Sequence, residues 1–215
     1  MKKHIILLLL ITQCLQTLGQ NTEVATPNKL QLEIGYTFLS NSLNGDNYYR
    51  FLYAQAPNTK ETTMSGVNIK FTLPTKNKSI DFIFGSMFLL GNDELGTTSW
   101  TSQQTNAYDY ILNGGGVYAG ISPKVKKKNW GVTSDFAIGL FSFKEYLAIY
   151  NNLQNPIIKE YEKKASYGLG ATTSVGVYFN FGKLGINPTL NAVYSGSSSA
   201  SFLFYGFTLP LTFQF

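Results

Sequence analysis

From Lys29 to the last residue the chain repeats one pattern, segments in which large apolar side chains alternate with small or polar ones, the period of two that a β-strand imposes. Residues 29 to 39 set Leu30, Leu32, Ile34, Tyr36 and Phe38 against Gln31, Glu33, Gly35 and Thr37. Residues 66 to 73 set Val67, Ile69, Phe71 and Leu73 against Asn68, Lys70 and Thr72, and 79 to 90 continue with Ile80, Phe82, Phe84 and Phe88. A fourth strand is placed over 114 to 122 with a start near Ala107, and a fifth over 130 to 143. Segments 166 to 179, 184 to 194 and 202 to 215 complete the set.

Short turns at 74–78, 123–129 and 180–183 alternate with long connections at 40–65, 91–106 and 144–164, the last with room for a short helix. This alternation predicts an all-β fold, an eight-stranded antiparallel up-and-down transmembrane β-barrel over 29–215, with short turns at one end and long loops at the other. Ten strands is the alternative if residues 47–56 form a strand of their own. Pro188 and Pro210 each remove a donor inside a strand, which predicts a bulge and the weakest pairing there.

Periodicity alone does not say which face is inside, and charge decides it. A soluble surface is about a quarter to a third charged. Here the only charges on the polar faces are Glu33, Lys70, Asp81 and Asp135, and glycine, serine and threonine fill most of the remainder. The apolar faces carry none. Such a distribution favours lipid outside and a crowded lumen inside over a secreted soluble barrel or sandwich.

The N-terminus reads as a cleaved signal peptide over 1–20, with Lys2 and Lys3, an apolar run from Ile5 to Ile11 and Gly19 near the cut, followed by a short lead at 21–28. The run is too short to span a bilayer as a helix. Gln13 before Cys14 argues against a lipoprotein site. Loss of this segment removes Cys14 and His4, the sole cysteine and histidine, so the mature chain has no disulfide, no Cys or His metal site and no His-based catalysis. The 17 basic against 12 acidic residues fall to 15 against 12 without Lys2 and Lys3, too mild a surplus to argue for nucleic acid.

The last strand ends Phe213-Gln214-Phe215. This resembles the aromatic-x-Phe ending of Gram-negative outer-membrane β-barrel proteins, which the barrel assembly machinery recognises; Pro210 stands where that family often has glycine. The resemblance implies residence in the cell outer membrane, among its lipid and lipopolysaccharide, and an architecture similar to the OmpA transmembrane domain and OmpX. Barrel enzymes of that family rely on a histidine, so the resemblance does not carry their activity here.

Glu33, Lys70, Asp81 and Asp135 lie near the turn side of their strands, which predicts convergence at similar depth as a luminal network with a single lysine among carboxylates. That reads equally as a polar plug or gate and as a solvated lumen. The lysines of the short turns, Lys124 among them, are expected to be solvated. Gly114, Gly116 and Ala119 match dinucleotide-motif spacing but predict close strand packing, since no helix follows.

No catalytic residue, cofactor or metal site is indicated. The expected role is structural or surface-interacting and non-enzymatic, with loop aromatics Tyr48, Tyr49, Phe51, Tyr53, Trp100, Tyr108, Tyr110, Tyr146 and Tyr150 meeting an extracellular protein or lipopolysaccharide. A narrow ion or solute channel and a carboxylate-based lipid-modifying enzyme are the alternatives.

Overall fold

The computed structural model describes residues 29–41, 62–76, 79–91, 94–101, 104–127, 129–150, 157–163, 167–196 and 201–215. Its strands are β1 (Gln31–Asn41), β2 (Thr62–Pro74), β3 (Ile80–Gly91), β4 (Glu94–Thr101), β5 (Gln104–Lys126), β6 (Trp130–Tyr150), β7 (Ile157–Lys163), β8 (Tyr167–Phe181), β9 (Leu184–Ile186), β10 (Thr189–Gly196) and β11 (Ser201–Gln214). All pairings are antiparallel, and they close on themselves through β1–β2–β3–β5–β6–β8, then β9 and β10 as one lane, then β11 and back to β1. The result is the expected eight-stranded barrel. Residues 47–56, on which the ten-strand alternative rested, lie outside the described residues.

Closure is made by β1 and β11, in register from Gln31 opposite Gln214 to Ser40 opposite Tyr205. On the inside of this seam the hydroxyls of Thr37 and Thr208 are hydrogen-bonded at 2.7 Å, and on the outside Phe38 and Phe207 stack with centroids 5.8 Å apart. The Phe215 N–H donates to the Leu30 carbonyl at 3.0 Å, so pairing continues to the final residue.

The prolines act where the alternation predicts. Strand seven is broken at Asn187 and Pro188 into β9 and β10, while β11 runs through Pro210. The two sites adjoin, since the Asn187 N–H reaches the Pro210 carbonyl at 3.3 Å. Gly35 lies opposite Pro210, and a Cβ there would stand 2.7 Å from the Pro210 Cα, so only glycine lets the two backbones approach. Gly182, at φ 85°, opens the two-residue connection from β8 to β9, where the favoured tight hairpin turns need a positive φ at the first residue.

Three sequence expectations are corrected. The turn expected over 123–129 begins later, because β5 continues to Lys126 and its partner β6 takes Lys124 opposite Thr133. The fourth strand starts earlier than expected, at Gln104. The short helix expected within 144–164 is not found among the described residues, where β6 continues to Tyr150 and β7 pairs with it. The hydrophobic residues of that stretch alternate as a strand extension, a pattern that a short helix also tolerates.

Beyond the barrel, β4 lies in the lane of β3 and β7 in the lane of β8, each pairing with an extended end of β5 or β6. A four-stranded sheet, β4-β5-β6-β7, therefore projects from the end opposite the chain termini. The β2–β3, β5–β6 and β8–β9 turns lie at the termini end.

The burial is that of a membrane protein. Val67, Phe84, Val117, Ile138, Val175, Leu190 and Leu209 are exposed on the outside, whereas Glu33, Lys70, Asp81 and Asp135 are buried inside. No water-soluble domain solvates its apolar face and sequesters its charges in this way, and a bilayer reverses the penalty. A lysine near the middle of the outward face should cost about 2–4 kcal/mol in lipid. Val175→Lys is expected to lower the denaturation midpoint of the vesicle-inserted barrel by that equivalent, measured by guanidinium titration; an unchanged midpoint would mean that this face does not meet lipid.

Candidate functional site: the barrel lumen

The inward face of each strand fills the lumen in two tiers. Toward the termini end it is polar. Glu33 and Lys70 are direct cross-strand partners on β1 and β2, and the Lys70 Nζ lies 3.0 Å from Glu33 Oε2. The same ammonium donates to Asp135 Oδ2 on β6 at 2.7 Å. Because β3 and β5 stand between β2 and β6 in the wall, this bond crosses the lumen. Ser174 on β8 donates to the same Asp135 oxygen at 2.9 Å, and the Asn187 amide, freed by the break in strand seven, donates to both Glu33 oxygens at 3.3 Å.

Asp81 does not join that triad. It pairs with Lys124, the diagonal neighbour of its register partner Ser122 on β5. Lys124 is 5% exposed, which corrects its assignment to a solvated turn. Among the described residues the lumen thus holds two lysines with its carboxylates, not one. The error follows from the turn boundary: in a lysine run nothing local shows which ammonium the strand carries inward. Glu33, Lys70, Asp81 and Lys124 line one cavity of about 20 Å³, and Glu33, Lys70 and Asp135 line a second of about 20 Å³. Each has room for about one water molecule and for no larger solute.

Above this network Tyr118 donates to Asn68 Oδ1 at 2.8 Å, and Asn191 donates to the Thr208 hydroxyl at 2.6 Å. Tyr118 lies across the glycine at 85, where a Cβ would come within 2.6 Å of its ring.

Toward the loop end the lumen is apolar, which the sequence reading missed. Leu39, Met64, Leu89, Leu112, Phe143 and Phe204 are 0% exposed, with Phe141 and Val193 beside them. Phe143 and Phe204 meet with centroids 4.8 Å apart. The rings fit because the facing strands lack side chains: a Cβ on Gly116 would come within 2.4 Å of Phe141, one on Gly170 within 2.6 Å of it, and one on Gly114 within 2.2 Å of Phe143. The glycine pair with dinucleotide-motif spacing is therefore a seat for aromatic rings. The missed signal was Leu39, Leu89 and Phe143 continuing the inward register at strand ends.

Among the described residues, no group of three or more His, Cys, Asp or Glu side chains is placed to hold a metal ion. Of the loop aromatics, Trp100, Tyr108, Tyr110, Tyr146 and Tyr150 belong to the projecting sheet, while Tyr48, Tyr49, Phe51 and Tyr53 lie outside the described residues.

Known proteins place this arrangement. The structure resembles the crystal structure of Ail, the attachment invasion locus protein of Yersinia pestis, with a TM-score of 0.53 at 14% identity, over 88% of this chain and 100% of that one. It also resembles Neisserial surface protein A, with a TM-score of 0.51 at 9% identity, over 86% of this chain and 96% of that one. This is the fold of the small outer-membrane β-barrels. No family profile matches the sequence, and no curated protein matches it. Within that barrel fold, Phe213 and Phe215 stand on the outside of the closing strand, Phe215 exposed beside the rim.

Removing the ammonium alone leaves Glu33 and Asp135 buried without their cation, which costs about 3–5 kcal/mol. Lys70→Met should therefore destabilise the barrel by that amount in denaturant titrations, and the triple variant Glu33→Gln, Lys70→Met, Asp135→Asn should recover much of the loss. A Lys70→Met barrel as stable as the parent would show that the pair bond across the lumen contributes nothing.

Proposed function

We propose that the protein is a non-enzymatic integral barrel of the outer membrane whose role is exercised at the cell surface, by the sheet that projects from its loop end. One observation carries this reading: β5 and β6 run for 23 and 21 residues, far past the barrel wall, and with β4 and β7 they present a paired, ordered surface in place of loose loops. A strand of about 10 residues suffices to cross a membrane as a tilted barrel stave. The extra length has no use within the bilayer. Ail, a barrel of the same fold, is named the attachment invasion locus protein of Yersinia pestis, and that name agrees with a surface role for this architecture.

The lumen supports the same reading by what it leaves no room for. A conduit for ions or solutes would have to pass the side chains of Phe141, Phe143 and Phe204, and a luminal enzyme would need space for a substrate between them and the ion pairs. An interior filled by side chains is the ordinary state of a barrel of this size.

Protease added to intact cells should cut within the projecting segment, residues 94–110 and 145–163, and leave a membrane-embedded, heat-modifiable remnant. Cleavage only after the cells are broken would place the sheet on the wrong side of the membrane and end the proposal. In planar bilayers the purified barrel should show no unitary conductance; reproducible steps abolished by Lys70→Ala would favour a channel instead.

A further inference from the structure

The two ends of the barrel differ in charge. At the loop end acidic and basic residues are mixed, with Glu94, Asp109, Glu145 and Glu160 among Lys144, Lys159 and Lys163. At the termini end the exposed charged side chains among the described residues are of one sign: Lys29 precedes β1, Lys76 follows β2, Lys127 lies between β5 and β6, and Lys183 between β8 and β9. The same connections contain Lys78 and Lys128. The carboxylates nearest this end, Glu33 and Asp81, are 5% and 2% exposed and are engaged by Lys70 and Lys124 inside the lumen. They do not neutralise the rim.

These lysines also stand at a defined depth. Trp130, Phe179, Phe181, Leu184 and Phe215 are exposed on the outer wall at the same end, at 44%, 40%, 70%, 55% and 69%. Aromatic side chains in such a band mark the level where hydrocarbon gives way to headgroups. The Lys127 ammonium lies 5.1 Å from the centroid of the Trp130 ring, which ties a cation to that level. The turn that carries both is itself fixed, the Lys127 N–H donating to the Trp130 carbonyl at 2.8 Å.

We propose that this lysine rim binds the anionic phospholipid headgroups of the leaflet at the termini end. An annulus is the geometry that the positions fit, because the lysines are spread over separate turns around the circumference and do not converge on one pocket. Their position directly beyond the aromatic band sets them against lipid phosphates, while the flexible lysine stem lets each ammonium reach the headgroup level. The attraction is electrostatic and is weakened by salt. The proposal rests on the membrane-barrel reading above and adds a preference for one lipid class on one side.

The test is native mass spectrometry of the barrel released from nanodiscs that contain equal amounts of phosphatidylglycerol and phosphatidylcholine with matched acyl chains. The expected result is several-fold enrichment of phosphatidylglycerol on the parent barrel. The triple variant Lys76→Gln, Lys127→Gln, Lys183→Gln should fall to parity, and the triple variant Lys144→Gln, Lys159→Gln, Lys163→Gln, with the same loss of charge at the other end, should keep the enrichment. Equal lipid retention by the parent, equal loss in both variants, or displacement of the lipid by inorganic phosphate would each overturn the proposal. A chain that fails to insert overturns the membrane reading with it, whereas an inserted, heat-modifiable barrel without enrichment overturns this inference alone.

Discussion

In hydrocarbon an unpaired strand edge has no water to satisfy it, and every other feature of this chain follows from removing such edges. The β1–β11 seam does so by joining the ends of the described chain in a continuous register. Once those strands are paired, the inward and outward faces of every stave are fixed by the period of two, and a slip of one residue would turn Glu33 and Thr212 into the lipid together. The seam also explains why Gly35 faces Pro210, since a closed ladder must tolerate the missing donor without parting the strands.

Closure then creates an interior that has to be filled. The two tiers solve this with different chemistry. Near the termini end, charges are held by one another: an ammonium on β2 is shared by carboxylates on β1 and β6, with Asn187 and Ser174 completing the set. Near the loop end, rings on β6 and β11 pack into space left by glycines on β5 and β8. Loss of one partner from a network of this kind would leave a buried charge uncompensated. The apolar tier supplies dense packing and shuts the lumen.

The membrane gives the exterior a vertical order that matches the inner one. The exposed aromatic and lysine residues of the turns lie at the termini end, and the sheet of β4 to β7 projects from the other. A filled interior agrees with the role proposed for the barrel's surfaces.

The sequence by itself determined the fold class and the inward and outward faces, because alternation and the scarcity of charge are local properties that lipid solvation enforces strand by strand. It also located the proline break, since a missing donor is visible in one residue. Only the tertiary structure decided which charge pairs with which. Lys70 meets Asp135 across the lumen, 65 positions away along the chain, and Lys124 turns inward because β5 outlasts its expected end. The aromatic plug and the projecting sheet were hidden for the same reason. Both are made by residues whose role depends on what stands opposite them, and no local pattern records a partner on another strand.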